Sequence, residues 1–242
     1  MLNTHGNKIT WLGHATFTIT TPSGQVTLID PFIESNPSCP PALKKLSRVD
    51  IILLTHGHAD HMADLLPIAR EHSPQVVAIY ETAKWLEKKG IRNVHIMAKG
   101  GTVKVGEIEA TMVDARHTNS IQDGDELING GEAAGFIVRM PGGFSLYHAG
   151  DTCVFGDMKL IGEIYKPELA LLPIGDQFTM GPREAAFALR LLGVKHMIPM
   201  HYGTFPVLTG TPEALREAIY VVGSESEAGL EIHEMKPGES IG

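Results

Sequence analysis

Cysteine is scarce: Cys39 and Cys153 are the only two in 242 residues. They lie far apart and follow no paired spacing, so a reduced, cytoplasmic setting is the expectation. An excess of positive charge is also missing. The formal net charge of −8 argues against a nucleic-acid surface, which is normally basic, so no nucleic-acid partner is expected. No run of about twenty apolar residues occurs, and no basic amphipathic helix is evident that would dock on lipid. No membrane partner is expected either. Met1 to Lys8 is polar and lacks the apolar core of a secretion signal. Short tandem repeats are absent, and no linker rich in Pro, Gly or Ser divides the chain. Residues 1–242 therefore read as one domain, ample for a substantial core.

What is abundant is histidine in one place. Thr55-His56-Gly57-His58-Ala59-Asp60-His61 packs three histidines and a carboxylate into six residues. The motif follows Ile51-Ile52-Leu53-Leu54, an apolar run that reads as a buried strand. In an extended segment, side chains two apart point the same way, so His56 and His58 can share one metal ion. Asp60 and His61 are adjacent and point differently, which suits a second ion nearby. Imidazole nitrogens and a carboxylate oxygen fit zinc best, with iron and manganese as alternatives.

Along the chain, Lys8 to Gly13, Ala15 to Thr20 and Val26 to Ile29 read as a meander of three strands, the last ending at Asp30-Pro31. Asp30 has the composition of a turn former before proline. Ala42 to Ser47 reads as a helical turn. Strands follow at 51–54, 76–79 and 94–97, with helices over Met62 to Glu71 and Thr82 to Lys89 between them. That alternation predicts an α/β architecture. Thr102 to Val105 and Ile108 to Val113 form a hairpin signal, after which come Ala115-Arg116-His117-Thr118. Ser120 to Glu132 is polar, acidic and Gly-rich, without periodicity. It reads as a mobile loop beside His117, either a lid or substrate loop or an ordinary surface loop. Strands at Ala134 to Met140 and Phe144 to Tyr147 lead to His148-Ala149-Gly150-Asp151-Thr152, where glycine permits close backbone approach before Asp151. His148 reads as a structural, hydrogen-bonded histidine. Leu169 to Pro173 and Lys195 to Pro199 are strands around a helix opened by Pro182 and running to about Leu192. His201 follows. A last helix runs from Pro212 to about Val222, then a loop at 223–229 and a short strand from Leu230 to Glu234.

Five stretches in the right order carry a resemblance to the metallo-β-lactamase superfamily, whose matched site positions run from Asp30 to His201. They are Trp11-Leu12-Gly13-His14-Ala15, the metal loop, His148 to Thr152, Pro173 to Asp176 with Phe178-Thr179-Met180, and Met200-His201-Tyr202-Gly203-Thr204-Phe205-Pro206. Within it the chain resembles uncharacterised small metal-dependent hydrolases close to the ascorbate-6-phosphate lactonase branch. The resemblance implies a four-layer αβ/βα sandwich, two mixed sheets flanked by helices, with the site at the upper edge. It implies that His56, His58 and His117 bind a first divalent ion and Asp60, His61 and His201 a second, with Asp151 bridging. Asp30 would support the metal loop from behind. Asp60 would also orient the nucleophile, a hydroxide activated by two ions. Cys153 is close in sequence to Asp151 but does not match the superfamily's thiolate position, and reads as a non-ligand. His14, Thr118, Asn119, Asp176 and Tyr202 are candidates for substrate contact or proton delivery, each with an equally good structural role.

The leading reading is a dinuclear metal hydrolase of a small ester, lactone or phosphoester. A compact nuclease or phosphodiesterase and a non-catalytic metal-binding protein are the alternatives. About fifty residues separate Asp151 from His201, too few for the inserted domain of the RNA-processing members. A di-iron redox branch would carry Glu where His58 stands. The expected partner is a small-molecule substrate, with a homo-oligomer by analogy only.

Overall fold

The structure is a computed structural model that describes residues 2–223 and 229–242. Residues 224–228, within the stretch read above as a loop, lie outside the described residues. The first half holds strands β1 (Lys8–Gly13), β2 (Thr16–Thr20), β3 (Val26–Ile29), β4 (Ile51–Leu53), β5 (Gln75–Ile79) and β6 (Val94–Met97). Its helices are α1 (Ala59–Met62), α2 (Leu65–His72) and α3 (Tyr80–Lys88). The second half holds β7 (Thr102–Val105), β8 (Ile108–Asp114), β9 (Ser120–Asp123), β10 (Glu126–Asn129), β11 (Ala134–Arg139), β12 (Ser145–His148), β13 (Leu169–Pro173), β14 (His196–Met200), β15 (Glu231–Ile232) and β16 (Ser240–Ile241). Its helices are α4 (Met158–Tyr165), α5 (Pro182–Leu192) and α6 (Pro212–Val222).

Two mixed seven-stranded sheets result, ordered β16-β1-β2-β3-β4-β5-β6 and β15-β14-β13-β12-β11-β8-β7. In each, an antiparallel meander passes into a parallel run, β3 to β6 and β12 to β15. Parallel strands are covered on both faces and so are apolar throughout. Ile51, Leu53, Val77, Leu169, Leu171 and Ile198 fill the core between the sheets. The alternate residues Ile52, Val76 and Ala78 pack outward on Leu65, Ala83 and Leu86 of α2 and α3. Ala170, Leu172 and Met197 pack outward on Ala185, Leu189 and Leu215 of α5 and α6. The layers are helix, sheet, sheet, helix, the four-layer αβ/βα sandwich expected.

Three local expectations need correcting. Ser120 to Glu132 is not an irregular loop: β9 and β10 pair from Glu126↔Asp123 to Asn129↔Ser120, closed by Gly124-Asp125 with Gly124 at φ +63°. A two-residue Gly-Asp connection is a hairpin signal, masked here by polar residues on both strands. The helix read over Met62 to Glu71 begins earlier and is broken into α1 and α2. Helix α4, in a stretch given no element from sequence, contains Gly162, which lowers helix propensity. A Cβ on Gly162 would lie 2.1 Å from the Leu192 carbonyl oxygen, so close packing on α5 requires the glycine.

Candidate metal centre

The parallel strands of both sheets end at one edge, where Asp30, the 54–61 loop, the Gly150-Asp151 turn and the His201 turn meet. His58 is extended (φ −68°, ψ 150°), and α1 starts at Ala59. Asp60 and His61 thus leave from a helical first turn, about 100° apart, while His56 and His58 leave from extended chain. That change of backbone divides the loop's donors between two places.

Asp30 holds the loop from behind. It is fully buried at φ +51°, and its Oδ1 accepts the Thr55 N–H at 2.9 Å. Oδ2 accepts the Thr55 hydroxyl at 2.7 Å and His61 Nδ1–H at 2.8 Å. The Thr55 proton being spent on Asp30, Thr55 Oγ1 accepts from His56 Nδ1–H at 3.0 Å. A neutral imidazole has one N–H. Both His56 and His61 are therefore oriented with Nε2 facing the cluster, the nitrogen that carries the lone pair in the neutral ring, and one carboxylate sets both tautomers.

Three nitrogens converge on the first place. His56 Nε2 and His58 Nδ1 are 3.1 Å apart, and His117 Nε2 and His58 Nδ1 are 3.2 Å apart. Tetrahedral metal–nitrogen bonds of about 2.0 Å set nitrogens about 3.3 Å apart, so the spacing is close to that of ligands around one ion. Burial pushes all three imidazoles below their ordinary value, which keeps them neutral and able to bind metal.

The second place is built from Asp60, His61, His201 and Asp151. His61 Nε2 lies 3.2 Å from Asp151 Oδ1, and His201 Nε2 lies 3.1 Å from Asp151 Oδ2 and 3.7 Å from Asp60 Oδ2. Yet His61 Nε2, Asp151 Oδ1 and both His201 ring nitrogens, all buried, make no directed hydrogen bond. An imidazole nitrogen and a carboxylate oxygen at that range hold a cation between them, a proton or a metal ion. Burial opposes charge on His61 and His201, but the Asp151 carboxylate outweighs it: His61 is held well above its ordinary value and His201 is raised to about 9. The field that draws a proton here also draws a dication. Asp151 Oδ2 further lies 3.9 Å from His56 Nε2 and 3.7 Å from His117 Nε2, within reach of both donor groups. All seven residues expected as ligands meet in one cluster, and their donor chemistry and spacing fit metal.

His14 stands behind Asp60, and its partner Thr204 is a residue the sequence reasoning did not single out. His14 is fully buried, with Nε2 3.1 Å from Asp60 Oδ2 and Nδ1 3.0 Å from Thr204 Oγ1. Burial pushes His14 down to about 4, so it is neutral. A carboxylate only accepts, so Nε2–H donates to Asp60 and Nδ1 accepts from Thr204. Burial alone would raise Asp60; the His14 hydrogen bond and the nearby His201 and His61 imidazoles outweigh it and hold its carboxyl well below the ordinary range. Thr204→Val leaves Nδ1 without a donor and frees the tautomer to flip, so turnover falls by about tenfold with Thr204→Ser restoring it. Equal kcat in all three proteins would show that the hydroxyl does not act through His14.

The remaining candidates divide. His148 is structural as expected: Nε2–H donates to the Ala15 carbonyl at 2.9 Å and Nδ1 accepts the Gly150 N–H at 3.1 Å. Asn119 serves the backbone, accepting from Gly57 N–H at 2.8 Å and donating to the Gly130 and Glu132 carbonyls. It ties the metal loop to the base of the β9–β10 hairpin. Tyr202 stacks on Trp11 with centroids 5.5 Å apart. Thr118 Oγ1 approaches His58 Nε2 at 3.4 Å. Asp176 and Cys153 are outside every donor group among the described residues.

Burial lowers the His148 pKa, and the sign follows from linkage. The folded value lies below the unfolded one, near 6.5. Stability is full above that pH and falls below it, as only the unfolded chain takes up the proton, until the folded value is reached. The contribution to the slope is about 1.4 kcal/mol per pH unit. Urea midpoints from pH 7 downward should show a slope shallower by one proton in His148→Gln, and identical slopes would contradict this role.

A cleft of about 690 Å³ opens beside His117 and Thr118, walled by Asp114, Arg116, Asn129 and Glu132 with Leu127 at its rim. Its cations are already engaged. Lys99 pairs with Asp114 and, at 3.1 Å, with Glu132, and Arg116 Nε lies 2.8 Å from Asp114 Oδ2.

Two mixed sheets, outer helices and a His–Asp cluster at the strand ends define a protein of the metallo-β-lactamase fold. The family model described as a beta-lactamase superfamily domain matches residues 26–202, and the chain belongs to that family. A UPF0173 metal-dependent hydrolase of Koribacter versatilis is 52% identical over 239 residues, covering 99% of both chains. One of Rubrobacter xylanophilus is 54% identical over 238 residues, covering 98% of this chain and 97% of its own. The solved structure of Igni18, a metallo hydrolase of Ignicoccus hospitalis, superposes with a TM-score of 0.84 at 30% identity, over 97% of each chain. The protein is a metal-dependent hydrolase. Among the described residues, no helix is long and apolar enough to cross a membrane.

Proposed function

We propose that this hydrolase works with two divalent ions, zinc before manganese or iron, on a small ester, lactone or phosphoester. The observation that carries the reading is the pair of donor groups flanking one shared carboxylate. His56 Nε2, His58 Nδ1 and His117 Nε2 would hold one ion, Asp60, His61 and His201 the other, and Asp151 would bridge. When bound, such ions lower the pKa of a water from near 16 to about 7 and neutralise charge developing on oxygen. The chain's own part is orientation. Asp60, itself gripped by His14, aims the attacking water, and Asp30, directly at His61 and through Thr55 at His56, turns both Nε2 atoms toward the cluster. Thr204, His14 and Asp30 lock these geometries before substrate arrives, which lowers the reorganisation needed during reaction.

The cleft supports a small substrate: its volume is in the ordinary range for small-molecule sites. Lys99 and Arg116 are neutralised by Asp114 and Glu132, which leaves little for a polyanion to bind and disfavours the nuclease alternative. The test is turnover of lactone, aryl ester and phosphodiester panels by metal-loaded and chelated protein. Metal-dependent turnover of one of these classes is expected. Silence across all three, with release of nucleotides from RNA, would overturn the reading in favour of a nuclease.

A further inference from the structure

At the opposite end of β14 from His201, three more metal-binding side chains come together. His196 is the first residue of that strand, about 16 Å from His201 at the usual rise of a strand. The parallel register pairs His196 with Glu231 and Met197 with Ile232. Glu231 N–H donates to the Lys195 carbonyl and His233 N–H to the Met197 carbonyl, each at 2.8 Å. Glu231 and His233 flank Ile232, so they share a sheet face by alternation. Ile232 packs on the outer core, whereas Ile198, two residues beyond His196, lies in the core between the sheets. All three side chains therefore lie on the inward-turned face at the lower margin of the sandwich.

Their donor atoms converge. His196 Nδ1 and His233 Nε2 are 3.1 Å apart, the same spacing as the imidazole pairs of the central cluster. Glu231 Oε2 is 3.5 Å from His196 Nδ1 and 4.0 Å from His233 Nε2. Two imidazoles and a carboxylate with a fourth position toward solvent make a common zinc donor set. The carboxylate is half-exposed on a long side chain. Burial and the neighbouring His196 lower the His233 pKa, which favours the neutral ligand form.

We propose that His196, Glu231 and His233 form a second, structural metal site, for a zinc-like divalent transition ion, separate from the hydrolytic centre. Its place in the fold gives it a task. Strand β15 is two residues long and is held to β14 by a short ladder. Beyond it the chain crosses to the other sheet, where β16 pairs with β1 at Ile9↔Ile241 and Thr10↔Ser240. An ion at His196 clamps β15 to β14 at the start of this crossing segment.

The test uses the full chain, stripped with chelator and dialysed against buffered free zinc, with His233→Gln beside the wild type. The variant should bind about one zinc fewer per chain, lose part of the zinc-dependent rise in Tm, and keep the metal-loaded turnover unchanged. Glu231→Gln, a milder change on a half-exposed side chain, should weaken the same uptake by about tenfold or more. This second variant decides the matter if His233→Gln does not fold. Equal zinc uptake by wild type and folded variants would overturn the proposal and leave a histidine–histidine hydrogen bond in its place. Because the readout is a difference between variants, it is independent of how many ions the hydrolytic centre takes.

Discussion

Asp151→Ala should lower metal-dependent turnover on the order of 10³-fold, the scale of removing a central preorganised charge. Asp151 is 2% exposed and has four imidazole nitrogens within 3.9 Å. Burial alone would raise its pKa; the His201 and His61 charges outweigh that and hold it well below the ordinary range. Removing it takes away a carboxylate that reaches both donor clusters. His61 and His201 lose the charge that raises them, and the pull on a dication goes with it. Metal content should fall together with kcat. The metal-free variant should also be less stable, by about 3–5 kcal/mol, since buried rings lose their counter-charge. Asp151→Asn keeps the shape without the charge, and a variant retaining both full metal and full kcat would show that charge at this position is unimportant.

Asp30→Asn should weaken metal binding by about 10–100-fold, although Asp30 is placed behind the donor groups and not among them. An asparagine oxygen can still accept from the Thr55 N–H. Its amide then turns N–H toward His61 Nδ1 and the Thr55 hydroxyl, where the native carboxylate accepts at 2.8 and 2.7 Å. Either His61 flips to the other tautomer, with a proton on the nitrogen that faces the cluster, or a buried donor meets a donor. The His56 tautomer loosens for the same reason, through Thr55. Asp30→Ala removes all three acceptor contacts and should destabilise the fold by about 3–5 kcal/mol. Zinc titration against a competing chelator, together with urea unfolding, separates the two effects. Unchanged zinc affinity in a folded Asp30→Asn protein would show that the tautomers are set elsewhere.

The donor residues were legible because metal ligation needs few residue types, and here they crowd at strand ends. His56, His58, Asp60 and His61 follow an apolar run that reads as a buried strand, whereas His117, Asp151 and His201 were singled out through the resemblance. Asp30 was legible only through resemblance, since an aspartate before proline is an ordinary turn former. What sequence hid was directional. Nothing in Thr55 or Thr204 announces that a hydroxyl fixes a histidine tautomer, because that depends on where its single proton goes. The β9–β10 hairpin was hidden by its polarity: Ile121 alone is buried deep, so alternation had one strong point and no pattern. Helix α4 was hidden by Gly162, whose role is a close approach to Leu192 that no local pattern records. His196, Glu231 and His233 come together through the pairing of β14 with β15, across more than thirty intervening residues.

The most direct test of the dinuclear centre is metal content per chain by elemental analysis, on protein purified without added metal, for wild type, His233→Gln and His58→Ala in the His233→Gln background. Removing the peripheral histidine isolates the central count. About two zinc, manganese or iron ions per His233→Gln chain, falling when His58 is also replaced, is the expected result. A count near zero that added metal does not restore, or a count that His58→Ala leaves unchanged, would contradict it.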